Sequence, residues 1–172
     1  MKLHIGGETR EEGWIVLNIQ PGPHVDMVGS CTDLSAIADS TVDEINASHV
    51  LEHLGYRDEL PRATLEFFRV LRPGGEIKVS VPDLRTLCAQ IFNPDLNIQQ
   101  RFMVMRVMFG GQMDPHDYHK VGLTQEFLTS FLATAGFVAI ERVEGFGLFQ
   151  DTSTLVTLNF PVSLNMRARK PG

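Results

Sequence analysis

The stretch from Val42 to Val81 constrains the fold of this chain more than any other. Val42 to Ala47 reads as a short strand. A helical stretch follows from about Asp58 to Leu71, with Leu60, Ala63, Phe67, Val70 and Leu71 on one face. Asp58 stands where a capping residue belongs, and Pro61 falls in the first turn, where its missing N–H costs no hydrogen bond. Pro73-Gly74-Gly75 stops the helix. Glu76 to Val81 then alternates Ile77, Val79 and Val81 with Lys78 and Ser80, the two-residue period of a strand with one face less well covered. Strand, helix and strand in that order form a unit of an α/β sheet.

The rest of the chain extends the same grammar. Lys2 to Ile5 reads as a short strand ending in Gly6-Gly7, and Trp14 to Ile19 as a strand covered on both faces. Val25 to Val28 is a third short strand. Asp83 to Phe92 and Asn97 to Met108 read as helices, the second rich in Met and Phe; Met103, Met105, Met108 and Met113 are expected in a helix core, with the lining of a flexible acceptor pocket as the alternative. Gly110 to Gly122 is a polar loop carrying His116, Asp117, Tyr118 and His119. Thr124 caps an amphipathic helix that Gly136 ends, and strands Phe137 to Val143 and Leu155 to Phe160 follow. The expected architecture is α/β: a Rossmann-like open twisted sheet, mostly parallel, with a late antiparallel strand at its edge. It is abbreviated at the N-terminus, because little room separates Gly7 from Trp14 for a helix. A single domain over residues 1–172 is expected.

Composition narrows the function classes. With 172 residues, 43% of them apolar and 21% charged, the chain can bury a core and is neither disordered nor fibrous. No apolar run is long enough to span a bilayer, and Met1-Lys2-Leu3-His4 opens straight into a strand, so a cytoplasmic protein without a membrane partner is expected. A net charge of −6 argues against a nucleic-acid partner. The one basic run, Arg167-Ala168-Arg169-Lys170, reads as a solvated tail. Cys31 and Cys88 form neither a disulfide framework nor a zinc ligand set, and neither has an activating neighbour in sequence.

Three segments carry a resemblance: Ser48-His49-Val50-Leu51-Glu52-His53-Leu54, then Phe68-Arg69-Val70-Leu71-Arg72-Pro73-Gly74-Gly75, then Ile77-Lys78-Val79-Ser80-Val81-Pro82-Asp83. Together they resemble the class I S-adenosylmethionine-dependent methyltransferases, in particular the small bacterial type 11-like members. The resemblance runs from about Lys2 to Val143, with a further echo in His116-Asp117-Tyr118-His119-Lys120. It implies S-adenosylmethionine as cofactor, S-adenosylhomocysteine as product, and methyl transfer to a small-molecule or saccharide-like acceptor. In such a sheet the ligand sits beyond the C-terminal strand ends, at the switch point of the strand order. Gly6 and Gly7 would lie against the amino-acid moiety, the end of the second strand at Asn18 against the ribose, and the loop after the third strand, Asp33 and Leu34, against adenine. Ser48 and His49 would line the side from which the methyl group leaves.

Departures from the pattern bear on the cofactor. Where the family places acidic residues and a Gly-x-Gly loop, this chain has His4, Gly6-Gly7-Glu8, Asn18 and Ser30. Asn18 offers one acceptor and no charge to a ribose. Losing a charge-assisted hydrogen bond costs about 1.5–3 kcal/mol, or roughly 10- to 150-fold in affinity. These losses are the sequence support for the alternative that the fold is kept as a catalytically inactive binding or scaffold module. His49, His53 and His119 are the candidate bases for an acceptor that must shed a proton. His49-Val50-Leu51-Glu52-His53 also spells H-x-x-E-H, a metal-hydrolase signature. It follows a strand directly instead of lying mid-helix, and no metal is expected. His116 and His119 join His49 and His53 only if the fold brings them together.

Overall fold

The computed structural model describes residues 1–149 and 152–172. Lys2–Ile5 (β1) runs parallel to Trp14–Asn18 (β2) on one side and to Val42–Ser48 (β4) on the other. Met27–Val28 (β3) adds to β2, and Leu71–Pro82 (β5) adds to β4, again in parallel. Ser163–Arg169 (β9) then pairs antiparallel with β5, and Val138–Val143 (β6) antiparallel with β9. The seven-stranded order is β3-β2-β1-β4-β5-β9-β6. Val156–Thr157 (β7) and Phe160–Pro161 (β8) form a separate two-stranded ribbon. This is the Rossmann-like, mostly parallel sheet expected from the sequence. The order turns back between β1 and β4, which opens a crevice above the C-terminal ends of those strands.

Glu59–Val70 (α1) covers one face because its stripe of Leu60, Ala63, Phe67 and Val70 is fully buried. Full burial of a side chain such as Phe67 is worth about 1.5–3 kcal/mol. Gln125–Thr134 (α4) packs Leu128 and Leu132 into the same core, and the hydroxyl of Thr124 accepts from the Phe127 N–H as its cap. Leu84–Ile91 (α2) is capped by Asp83, whose side chain accepts from the Arg85 N–H. Asp58 occupies the N-cap of α1 but makes no side-chain cap; the Glu59 carboxylate instead accepts from the Gly55 N–H at 2.6 Å. Between β1 and β2 the chain forms turns and no helix, as its length requires.

Three expectations are corrected. The final strand is not Leu155 to Phe160, which supplies only the small ribbon, but Ser163–Arg169. That strand contains most of the basic run read as a tail. Leu164, Met166 and Ala168 point into the core, while Arg167 and Arg169 face outward and meet Glu141 and Glu76. Alternation along a strand therefore hides half of a charged-looking segment. Ile98–Phe109 (α3) is not a core helix: Val104 is its one buried residue, and Phe102, Met103 and Phe109 are exposed. Among the described residues no helix is long and apolar enough to cross a membrane.

Candidate functional site

Two features at the C-terminal end of β1 shape the crevice floor. Gly6 has φ +73° and lies so close to Val50 that an added Cβ would stand 2.5 Å from its Cγ2, so this turn requires glycine. Beneath it, His4 is buried; its ring stacks on Phe149 at 3.8 Å between centroids and meets the edge of Trp14 at 6.4 Å. A Cβ on Gly7 would overlap the His4 imidazole, so Gly7 serves the packing of this cluster and is itself buried.

Above this floor opens a cavity of about 610 Å³, in the range of about 300–1,000 Å³ usual for small-molecule sites. Gly6, Leu17, Asn18, Ile19, Ser30 and Cys31 line one side, and His49, Val50, His53 and Leu54 another. Glu8, Gln20 and the loop residues Asp114 to Tyr118 complete the wall. Asn18 is committed within the protein. Its amide donates to the Gly7 carbonyl at 3.1 Å, and its Oδ1 accepts from the Gln20 N–H at 3.0 Å. The carboxylates on this wall are instead those of Glu8, Glu59, Asp114 and Asp117. Cys31 is buried, which pushes its thiol up to about 12 and leaves it no thiolate character.

A second cavity of about 270 Å³ lies on the other side of His49, lined by Pro82, Met103, Arg106, Val107, Gly110, Gly111, His119 and Leu155. His49 lines both cavities. It follows β4 with φ +53°, a left-handed conformation costly for a residue with a Cβ and characteristic of functional sites. Its N–H donates to the Ser80 carbonyl at 2.8 Å, its Nε2 lies 3.1 Å from the Ser163 hydroxyl, and its Nδ1 lies 3.2 Å from Glu52 Oε1. Glu52 and His53 belong to a single 3₁₀ turn, Leu51–His53, and not to an α-helix. His53 Nδ1 faces the Tyr118 carbonyl at 3.2 Å, and its ring meets that of His119 edge-on at 4.8 Å. Burial holds the His119 imidazole below its usual pKa, while the Glu52 carboxylate pulls the other way.

The loop after α3 makes this convergence. Asp117 accepts from the Gly111 and Met113 N–H groups, and Asp114 accepts from the His116 N–H and the Gln20 amide. The Lys120 and Val121 N–H groups both donate to the Glu52 carbonyl, at 2.8 and 3.2 Å. These bonds fix the loop as a cavity wall.

Of the residues singled out in the sequence, Gly6, Asn18, His49 and His53 line the larger cavity, and His119 lines the smaller one. Ser48 is adjacent, its hydroxyl buried without a hydrogen-bond partner among the described residues. Asp33 and Leu34 are not brought to either cavity. Leu34 is core, and Asp33 lines a separate shallow cleft with Arg62, Glu66 and Arg69. Sequence reasoning missed Glu8, Gln20 and Asp114, whose only signal is a polar character shared with any loop.

A sequence model described as a methyltransferase domain matches residues 14–79. No curated protein matches the chain in sequence. Among solved structures, an S-adenosylmethionine-dependent methyltransferase from Archaeoglobus fulgidus aligns with TM-score 0.65 at 18% identity, covering 98% of this chain and 85% of that one. A possible histamine N-methyltransferase from Thermotoga maritima aligns with TM-score 0.60 at 17% identity, covering 98% and 81%. The 1,6-didemethyltoxoflavin-N1-methyltransferase of Burkholderia thailandensis aligns with TM-score 0.59 at 15% identity, covering 99% and 71%. A methyltransferase-domain match thus reaches from β2 into β5, and with a strand order that turns back between β1 and β4 the chain has the fold of the S-adenosylmethionine-dependent methyltransferases it aligns with.

Proposed function

We propose that the chain transfers a methyl group from S-adenosylmethionine to a small-molecule acceptor, with the cofactor in the larger cavity and the acceptor in the smaller. One observation carries this reading: the two cavities meet at His49, at the end of β4. The residues present fit the cofactor. Gly6 allows close backbone approach, Leu17, Ile19 and Leu54 offer apolar wall, and Glu8 and Asp114 offer the acceptors that Asn18 no longer can. When bound, the cofactor supplies an electrophilic methyl group on a sulfonium. The protein's own part is alignment, worth several kcal/mol when the reacting groups are held in line. With Nδ1 turned to Glu52, the Nε2 of His49 is the atom placed to take an acceptor proton, directly or through the Ser163 hydroxyl.

A second reading, a methyltransferase fold kept as a binding module without turnover, draws on the closure of Asn18 onto Gly7 and Gln20. Methyl-labelled S-adenosylmethionine, incubated with a panel of hydroxyl and amine acceptors, separates the two. The enzyme reading expects label in product and a roughly 10²- to 10⁴-fold lower kcat for His49→Ala, the range for a general base. Cofactor binding without label transfer to any acceptor class supports the binding module.

A further inference from the structure

Glu52 is 2% exposed, and neither carboxylate oxygen has a hydrogen-bond partner among the described residues. Its Oε1 lies 3.2 Å from His49 Nδ1, but outside hydrogen-bond geometry. A buried carboxylate in that condition needs a positive partner. Two histidines converge on it: ligand atoms of Glu52, His53 and His119 lie within 4.8 Å of one another. His53 Nδ1 faces the Tyr118 carbonyl at 3.2 Å, which leaves its Nε2 as the ligand atom. His119 Nδ1 is buried with no partner among the described residues. One nitrogen on a carbonyl, as in His53, is the arrangement that orients metal-ligating imidazoles.

We infer that Glu52, His53 and His119 form a three-ligand site for a divalent transition ion of the zinc class. A tetrahedral ion with ligands at about 2.0–2.2 Å holds them about 3.3–3.6 Å apart, so the set closes with side-chain movements of about an ångström. The two bonds from the Lys120 and Val121 N–H groups to the Glu52 carbonyl already clamp the His119 loop against the 3₁₀ turn. Two imidazoles and one carboxylate suit zinc and its neighbours, whereas calcium and magnesium prefer oxygen donors. Three protein ligands leave a tetrahedral ion one position for water. The linear H-x-x-E-H reading pairs His49 with His53. The fold instead sets His49 in a left-handed conformation before the turn and brings His119 to the carboxylate from a distant loop.

The full chain, stripped with a chelator and freed of cofactor, is titrated with Co²⁺ and then with Zn²⁺. Uptake of one equivalent is expected, with the visible absorption of tetrahedral Co²⁺ that Zn²⁺ displaces. His119→Ala and His53→Ala should each weaken binding by about 100-fold or more, beyond the 10- to 100-fold cost of losing an outer partner. His24→Ala, outside the set, should bind as the wild type does. Circular dichroism checks that each variant is folded, and the wild-type titration is decisive if one is not. Failure of the wild type to take up either ion, or equal uptake by the His53→Ala/His119→Ala double variant, overturns the site. Because no cofactor is present, this outcome is independent of methyl transfer.

Discussion

Arg69 decides where the segment containing Asp33 and Leu34 lies. Its guanidinium donates to Glu66 through Nε at 2.7 Å and Nη2 at 2.8 Å, and to the carbonyls of Leu34 and Ile37 at 2.8 and 2.9 Å. Glu66 in turn accepts from the Leu34 N–H at 2.7 Å. The stretch from Leu34 to Ile37 is therefore bound to α1 and held off the crevice. This is why two residues expected at the adenine fall outside the cavities: a sequence places a loop after a strand but does not show what its backbone binds. The Arg69 guanidinium also holds the Glu66 carboxyl below its ordinary value of 4.5. A depressed carboxylate stabilises the folded state above its unfolded pKa and loses that contribution as pH falls through the folded one. Glu66→Gln should therefore cost about 1.5–3 kcal/mol at neutral pH, the worth of a charge-assisted hydrogen bond. In denaturant unfolding, the gap between variant and wild type should close as pH falls below 4.5. A gap that is constant with pH would assign the contribution to packing alone.

Among the elements, β9 is the one whose identity the sequence obscures. Its Ser163 and Asn165 are buried polar residues, and its arginines are charged, so no apolar run marks it. The only signal is the two-residue alternation of Leu164, Met166 and Ala168. Asn165 accepts from the Ser80 hydroxyl at 2.7 Å and donates to the carbonyls of Glu144 and Ser153 at 2.8 Å each, which joins β5 and β9 beneath the site. A central strand predicts an asymmetric response to mutation. Met166→Ala should cost about 2–5 kcal/mol, as large-to-small core changes do, whereas Arg167→Ala on the exposed face should stay within about 0.5 kcal/mol. Thermal unfolding of the two variants checks this, and similar melting temperatures would contradict β9 as a core strand. The apolar composition of α3 misleads in the opposite sense, because its Met and Phe residues are spread around the helix and not gathered on one face.

At the level of the whole molecule, the β4-α1-β5 unit is legible because its periodicities and the Pro73-Gly74-Gly75 stop are local. The site is half legible. Gly6 and His49 follow directly from strand ends, and both line the cavity. His119, Asp114 and Glu8 reach the site only through loops, and those of His119 and Asp114 take their paths from hydrogen bonds to Glu52 and Gln20. In the proposed arrangement the cofactor lies against the carboxylates of Glu8 and Asp114, and away from Asp33.

Isothermal titration of the purified chain with S-adenosylmethionine and S-adenosylhomocysteine tests that placement most directly, with Asp114→Asn and Asp33→Ala alongside. Binding of both ligands is expected, weakened roughly 10- to 150-fold by loss of the Asp114 charge and unchanged by Asp33→Ala. Binding lost in Asp33→Ala but retained in Asp114→Asn would move the nucleoside out of this cavity. Absence of binding by the wild type at millimolar ligand would contradict the cofactor site altogether.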